Sequence, residues 1–229
     1  MPVLFTTRAG GRSQAPYAHL NLATHVGDDP EAVAANRRTL AARLGLPADH
    51  LLWMDQVHGA TVAEVTAPAV GVPSAVASVD GMVTATPRLG LAVLVADCVP
   101  VLLEGSAAVA VAHAGRRGAA AGIALTALSR LRRHDPGPVI AHLGPAICGR
   151  CYEVPAAMQA QVEEALPGSA VTTSRGTPGL DLRAGLAAQL RAAGAEVRVD
   201  ARCTAQEPDL YSHRRDNVTG RFAGVVWLA

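Results

Sequence analysis

Two long apolar runs in the middle of the chain constrain its fold more than any other feature. Residues 91–103 and 107–114 contain a single charged side chain, Asp97, and are separated by the short segment from Glu104 to Ser106. Apolar segments of this kind, rich in Val and Leu and bounded by turn residues, are typical of strands buried on both faces. The pattern predicts a hairpin of two buried strands at residues 91–103 and 107–114.

Each apolar run carries one residue that is able to bind a metal, Cys98 in the first and His113 in the second. Partners on neighbouring strands bring their Cβ atoms to within about 5 Å, a separation that suits two ligands of one ion. His58, in a short segment that turns at Gly59, is a third candidate. Three ligands of N and S type with an open fourth position are typical of catalytic zinc. The alternative, a small buried thiol and hydrogen-bonded imidazoles, stays open at this point.

Composition and charge narrow the classes of function. Half of the 229 residues are apolar, but the aromatic side chains are only two Trp, three Tyr and two Phe, so stacking platforms for single-stranded nucleic acid are not expected. The net charge is +1 and the arginines are scattered, which argues against a DNA-binding surface. We find no secretory signal and no apolar run of the roughly 18 residues that span a membrane. We therefore expect a cytoplasmic protein without nucleic-acid or membrane partners.

The other three cysteines are expected to be thiols or ligands, because disulfides are rare in the cytoplasm. Cys148 and Cys151 form a Cys-Gly-Arg-Cys motif, which fits a redox pair or half of a structural zinc site. Neither interpretation has its usual context, since a second Cys-x-x-Cys is absent and Cys203 is distant in the sequence. Structural or incidental thiols are the expectation.

The segments around the two runs predict helices and further strands. Local capping and periodicity signals indicate helices at 30–44, 119–133, 155–166 and 182–193, and strands at 3–7, 60–65, 79–84, 138–143, 195–200 and 222–228. This order predicts one α/β domain over residues 1–229 with mixed strand directions. Residues 214–216 are expected to form either an ion-pair network near the site or a surface turn.

Two glycine-containing turns suit anion binding. Arg8 directly follows the first predicted strand and precedes Gly10 and Gly11, where a planar guanidinium and a closely approaching backbone fit an anion. The turn from Gly115 to Gly118 leaves free backbone N–H groups at the start of a helix. A surface arginine and a simple helix cap are the corresponding alternatives.

Eight short segments, collinear from about Phe5 to Leu228, match motifs of one known family. They are Thr7 to Gly11, Leu20 to Asp29, Gln56 to Gly59, Asp80 to Thr84, Ala96 to Val101, Ala112 to Gly115, Leu143 to Pro145 and Tyr211 to Arg221. Together they resemble the laccase-domain or multicopper polyphenol oxidase (YfiH-like) family, also called purine nucleoside phosphorylase YlmD-like.

The resemblance implies a single-domain layered α/β sandwich with flanking helices, and one zinc ion held by His58, Cys98 and His113. It also implies phosphorolysis of adenosine, inosine, guanosine and methylthioadenosine, with deamination of adenosine as a further activity. On this hypothesis the ligands of the protein are purine nucleosides and phosphate, and it is a monomer or a weak homo-oligomer. The residues expected to bind substrate or phosphate are Arg8, Asn21, Gln56 and Arg117, and Asp97 is expected to orient a metal ligand.

Two other functions attach to the same family, a copper-dependent polyphenol oxidase and a peptidoglycan precursor editing factor. Multicopper oxidases need paired His-x-His motifs, and the eight histidines of this chain include no such pair. One departure concerns the turn after His113, where the family usually has Gly-Trp-Arg-Gly and this chain has Arg116 in place of the Trp. This charged side chain puts the substrate preference in doubt.

Overall fold

The computed structural model describes residues 3–68 and 75–228, and within them the chain forms thirteen strands and six α-helices. The strands are β1 (Val3–Phe5), β2 (Leu51–Met54), β3 (Val62–Glu64), β4 (Ala75–Val76), β5 (Gly81–Thr84), β6 (Gly90–Val95), β7 (Val99–Glu104), β8 (Val109–Ala114), β9 (Ile140–Leu143), β10 (Ala170–Thr172), β11 (Pro178–Leu180), β12 (Glu196–Val199) and β13 (Phe222–Trp227). The helices are α1 (Pro30–Arg43), α2 (Arg116–Ala120), α3 (Ile123–Arg132), α4 (Ala156–Ala165), α5 (Leu182–Ala192) and α6 (His213–Asp216).

Two mixed sheets pack face to face. The first has the order β1-β13-β6-β2-β4 and the second the order β12-β9-β7-β8-β5-β3, while β10 and β11 form a small hairpin. Both large sheets contain parallel and antiparallel pairs. Their inner faces share one buried cluster that includes Leu91 of β6, Leu102 of β7, Val111 of β8 and Phe222 of β13. The predicted α/β class with mixed sheets is confirmed.

Helices cover the outer faces of both sheets. Leu40 of α1 packs against Trp53 and Leu94 on the first sheet, and α3 and α5 pack against Val101 and Leu103 of β7 on the second. Because alternate residues of β7 enter different clusters, this strand is buried on both faces, as its apolar sequence predicts. The layers are therefore helix, sheet, sheet, helices.

The first apolar run forms two strands instead of the single strand that was predicted. β6 ends at Val95 and β7 starts at Val99, and the two strands belong to different sheets. Between them Asp97 has a φ of 90°, a left-handed conformation that is uncommon outside glycine. The second half of the prediction is confirmed, since β7 and β8 pair antiparallel in register.

The helix predicted at 119–133 is also interrupted. α2 begins earlier, at Arg116, and Gly122 with a φ of 78° separates it from α3. By contrast, α1 and α5 start at their predicted caps, where the carboxylates of Asp29 and Asp181 accept backbone N–H groups. In the described part of the chain, every helix lacks the length and apolar character that a membrane crossing requires.

Candidate metal centre and active site

Three side chains with metal-binding atoms come together near the connection at which the chain passes from β6 in the first sheet to β7 in the second. His58, Cys98 and His113 each offer one ligand atom, and these atoms lie within 4.8 Å of one another. The two imidazole rings stand edge to face with their centroids 4.7 Å apart. Cys98 directly precedes β7, and His113 lies in the neighbouring strand β8. The structure thus brings together the three residues that were predicted as ligands.

A buried carboxylate orients two of these three residues. Asp80 is fully buried and accepts a hydrogen bond from Nδ1 of His113 at 2.8 Å. Its oxygens also accept the backbone N–H groups of His58 at 2.9 Å and of Gly59 at 2.6 Å. Metal-binding histidines characteristically donate one ring nitrogen to a carboxylate and use the other as the ligand. Asp80 therefore has the orienting role that was predicted for Asp97.

The carboxylate of Asp97 instead fixes the C-terminal part of the site. It accepts the hydroxyl groups of Thr204 at 2.6 Å and Ser212 at 2.7 Å, and the backbone N–H of Arg214 at 2.6 Å. These three bonds join the connection between the sheets to a segment more than a hundred residues later in the chain. The prediction for Asp97 is wrong in this respect, because the hydrogen bonds that its oxygens accept come from this C-terminal segment.

The electrostatics of the site favour a thiolate. Burial raises the pKa of the Cys98 thiol, but the charge and hydrogen bond of His113, with a hydrogen bond from His58, bring it down to about 6. Burial lowers the pKa of His113, whereas the Cys98 thiolate and Asp80 raise it to about 9. Cysteine binds metals as the thiolate. Two imidazoles and one thiolate form a donor set that suits Zn²⁺ or copper.

The three residues line a cavity of about 370 Å³, within the size range of small-molecule sites. Its wall combines apolar and aromatic surface with an unusual number of basic side chains. The apolar part includes Leu94, Ile147, Tyr152 and Leu182, and the basic part consists of His25, Arg116, His213, Arg214 and Arg221. The cavity therefore offers a surface for a flat organic ligand beside several positive charges.

Arg214 is held by contacts with the cavity wall, and the surroundings of Arg221 and His25 change their pKa values. The guanidinium of Arg214 stacks 5.1 Å from the centroid of the Tyr152 ring and donates to the carbonyl of Glu153. Burial lowers the pKa of Arg221, and burial together with the charges of Arg221 and Arg37 lowers the pKa of His25. An anion in the cavity would offset the cost of burying the charge of Arg221.

Two of the residues predicted to bind substrate or phosphate, Gln56 and Arg117, differ in their position relative to the cavity. Gln56 lines the cavity, but its amide donates to the carbonyl of Leu94 and accepts the N–H of Leu94, each at 2.8 Å. Arg117 is exposed and donates to the carbonyl of Val57. Its neighbour Arg116, the departure from the family motif, is the arginine of this turn that lines the cavity.

Arg8 and Asn21 are engaged elsewhere. The guanidinium of Arg8 donates to the carbonyls of Ala18 and Pro208 and stacks on Tyr211. The buried amide of Asn21 bonds Ala23, Asp28 and the backbone N–H of Arg221. Among the described residues that line the cavity, neither Arg8 nor Asn21 is present. Their binding of phosphate stays a prediction.

Sequence reasoning missed most of the basic wall. The segments that carry the family resemblance include His25, His213, Arg214 and Arg221. These motifs were therefore the sequence signal from which the basic residues could have been predicted. Residues 214–216 were expected to form either an ion-pair network near the site or a surface turn. Arg214 lines the cavity, and Arg215 forms an ion pair with Asp216 at 2.8 Å.

Comparisons with known proteins identify the family and agree with the fold. The profile of the family described as "Multi-copper polyphenol oxidoreductase laccase" matches residues 2–229. A Mycobacterium tuberculosis protein named purine nucleoside phosphorylase is 55% identical over 228 residues, covering 97% of this chain and 90% of that protein. The crystal structure of YlmD from Geobacillus stearothermophilus is similar with a TM-score of 0.89 and 37% identity, covering 99% of this chain and 92% of that one. Bacillus licheniformis hypothetical protein YfiH gives a TM-score of 0.90 at 31% identity, with the same coverage of 99% and 92%.

Proposed function

The chain belongs to the multi-copper polyphenol oxidoreductase laccase family, and from this membership and the geometry of its cavity we propose that it is a zinc-dependent purine nucleoside phosphorylase. The observation that carries the proposal is the meeting of an N₂S ligand group and several basic side chains in one cavity. Relatives that bear the name purine nucleoside phosphorylase match nearly the whole chain, which supports the same activity class.

The two kinds of wall correspond to the two substrates. The purine base packs on the apolar and aromatic surface that includes Leu94, Tyr152 and Leu182, while phosphate binds the guanidinium groups of Arg116 and Arg214. These side chains place the phosphate oxygen and the anomeric carbon of the ribose in one cavity, which lowers the entropic part of the barrier.

In the reaction, a phosphate oxygen forms a bond to the anomeric carbon while the bond from this carbon to the purine nitrogen breaks. The arginines keep the phosphate oriented, and the departing base takes up a proton, for which the imidazoles of His25 and His213 are the candidate relays. Zinc, held by His58, Cys98 and His113, would supply a Lewis acid that polarises a substrate oxygen or lowers the pKa of a bound water. The latter chemistry would support deamination of adenosine.

We propose adenosine, inosine, guanosine and methylthioadenosine as substrates. Purified protein of known metal content is incubated with each nucleoside, with and without phosphate, and base, sugar 1-phosphate and ammonia are separated by chromatography. We expect base release that requires phosphate. Cys98→Ala should abolish it, and the matched control Cys151→Ser, a change of a thiol outside the cavity wall, should retain it.

Ammonia formation in the absence of phosphate would identify a deaminase as the main activity. A zinc-loaded sample that turns over no nucleoside would contradict the proposal and favour the peptidoglycan precursor editing role.

A copper-dependent polyphenol oxidase is the second candidate, because the family carries this description and two imidazoles with a thiolate also bind copper. Within residues 3–68 and 75–228, however, histidines contribute to only one group of three ligands. Metal analysis of protein purified without added copper separates the two functions. Stoichiometric copper without zinc at His58, Cys98 and His113 would favour the oxidase.

A further inference from the structure

A second group of metal-binding atoms lies outside the wall of the candidate active site. Cys148, Cys151 and Cys203 are free thiols whose sulfur atoms lie within 4.8 Å of one another. In the sequence the Cys-Gly-Arg-Cys motif had only the distant Cys203 as a partner, and the fold brings this residue next to the motif. The incidental role expected for these thiols therefore needs to be reconsidered.

The backbone places the three thiols together. A turn closes over Cys148, whose carbonyl accepts the N–H groups of Cys151 at 2.9 Å and Tyr152 at 3.0 Å. Cys203 is fixed beside this turn by a parallel bridge to Ala146 and by the bond from Thr204 N–H to the Ala146 carbonyl. The convergence thus follows largely from backbone hydrogen bonds of two chain segments.

The environment of the sulfur atoms suits a bound ion. The backbone N–H of Cys148 donates to Sγ of Cys203 at 3.3 Å, a contact that stabilises negative charge on sulfur. Cys203 is buried, whereas Cys148 and Cys151 are partly exposed. An ion is therefore able to enter from solvent and reach all three atoms.

We propose that Cys148, Cys151 and Cys203 form a second metal site, which binds a thiophilic d¹⁰ ion, Cu⁺ or Zn²⁺, independently of His58, Cys98 and His113. Metal–sulfur bonds of about 2.3 Å separate the thiolates of one ion by about 3.8–4.0 Å, which lies inside the observed limit of 4.8 Å. Only small side-chain movements are needed to close the site.

The number of ligands favours Cu⁺ over Zn²⁺. Among the described residues no fourth His, Cys, Asp or Glu joins this group. Structural zinc is usually closed by four protein ligands, so zinc would have to take one ligand from solvent, while three thiolates suffice for three-coordinate Cu⁺. Each thiol that binds releases its proton to the buffer, so one ion displaces up to three protons and no group changes oxidation state.

This site adjoins the cavity without being part of it. Ile147 and Tyr152, which flank the cysteine turn in the sequence, line the cavity, and the N–H of Ile147 donates to the carbonyl of Asp97 at 3.0 Å. An ion at the cysteines would lie next to this wall and outside the cavity. Copper bound at these cysteines would report on these thiols and not on the residues proposed to carry out the reaction.

The test uses Cys98→Ala protein, in which the first metal group lacks its thiolate. The reduced, metal-stripped protein is titrated anaerobically with Cu⁺ against a chromogenic Cu⁺ chelator, and separately with Zn²⁺ against a zinc chelator. We expect one tightly bound equivalent with a sulfur-to-copper charge-transfer band in the ultraviolet. The band and the equivalent should disappear in Cys98→Ala/Cys151→Ser and in Cys98→Ala/Cys148→Ser. Circular dichroism establishes that these variants are folded.

X-ray absorption on Cu⁺-loaded wild-type protein provides a readout that needs no variant. Sulfur-only coordination supports the second site, whereas nitrogen in the first coordination sphere of the only copper bound places it at the histidines and overturns the proposal. Stoichiometric binding that survives in both double variants, or a disulfide among the three cysteines that persists after treatment with a reductant, would also overturn it. Preferential binding of Zn²⁺ supports the site but reverses the preferred ion. Nucleoside turnover by Cys151→Ser measures the proposed function separately.

Discussion

At the scale of single residues, the candidate site depends on groups around the metal ligands as much as on the ligands. The sequence predicted His58, Cys98 and His113 because thiol and imidazole groups are conspicuous beside apolar strands. Asp80 was not predicted as the orienting group, since its role arises from its position under the 57–59 turn and beside His113. Such a contact between distant segments has no signature in local sequence.

Replacing Asp80 by Asn should weaken zinc binding about 10- to 100-fold, because an amide cannot accept all the hydrogen bonds that hold His113 and the 57–59 turn. The affinity is measured by competition with a fluorescent chelator in a Cys151→Ser background, so that the cysteine group does not contribute. The matched control is Asp135→Asn, since Asp135 also accepts backbone N–H groups but lies elsewhere. Equal affinities for the two variants would contradict the role of Asp80.

The lowered pKa of Cys98 predicts its reactivity in metal-stripped protein. Thiolate is the deprotonated form, so alkylation by iodoacetamide should increase with pH through a midpoint at about 6, below the ordinary value of 9.0. His113→Ala removes the main stabilising charge and should raise the midpoint by about one unit or more. Mass spectrometry of the peptide containing Cys98 follows the reaction. An unchanged midpoint in His113→Ala would show that the charge of His113 is not the cause.

The adjacent arginines of the 115–118 turn form a natural comparison. Arg116 lines the cavity, whereas Arg117 is exposed. Loss of a charged hydrogen bond costs about 1.5–3 kcal/mol, so Arg116→Ala should reduce kcat/KM for phosphate about 10- to 100-fold, and Arg117→Ala should have little effect. Steady-state phosphorolysis at varied phosphate concentration distinguishes them. The converse result would restore the phosphate role predicted for Arg117.

At the scale of elements, the predictable features were those with local signals. The caps of α1 and α5 and the β7–β8 hairpin follow from short sequence patterns. The division of residues 91–103 into β6 and β7 was missed because both strands are apolar, and because the polar partners of Asp97 come from residues 204–214. The break between α2 and α3 at Gly122 was masked by the surrounding alanines.

Close approach of the two sheets makes Gly144 sensitive to substitution. A Cβ atom there would contact the ring of Phe5 and would lie 2.7 Å from Cγ of Pro100. Overpacking of this kind costs about 1–3 kcal/mol, so Gly144→Ala should lower the free energy of unfolding by that amount, as measured by urea denaturation. Phe5→Leu should recover part of the loss in the double variant. Strictly additive effects would show that Phe5 is not the obstacle.

The β7–β8 turn provides a pH-dependent prediction. The N–H of Ala107 has the largest effect and lowers the pKa of Asp135, whereas burial raises it. The N–H of Gly137 and the hydroxyl of Ser106 add to the lowering, and the net result is a pKa below the ordinary 3.8. A depressed carboxyl pKa adds stability above the unfolded-state value, and this contribution is lost as pH falls through the folded-state value. Asp135→Asn should therefore destabilise the protein by about 1 kcal/mol near neutral pH. In urea titrations the difference from wild type should shrink below pH 4, and a difference independent of pH would contradict the assignment.

At the scale of the whole molecule, the cavity wall extends in sequence from His25 to Arg221. The family resemblance covered nearly this entire range and correctly indicated the fold class, which local patterns alone left as an α/β domain with mixed strands. The arrangement of side chains around the cavity required the tertiary structure, because most of the basic wall comes from loops and helix starts.

Zinc that binds the folded state alone should raise the thermal stability of the whole chain. At a free concentration of about 100 times Kd the gain is about 2.7 kcal/mol, which corresponds to a rise in Tm of about 5–10 °C for a protein of this size. Scanning calorimetry of the Cys151→Ser variant measures it. Cys98→Ala/Cys151→Ser should show no comparable rise, and an equal rise would place the stabilising zinc elsewhere.

The connection at Asp97 has a consequence for biosynthesis. A ribosome releases the three candidate ligands, the last of them His113, long before Thr204 and Ser212, which bind Asp97, and before β13, which pairs with β6. Under the proposed function, a nascent chain that carries these three ligands would be able to bind zinc while the cavity is still incomplete. Translation of the final segment would then determine when such a chain becomes competent to bind the proposed nucleoside substrate.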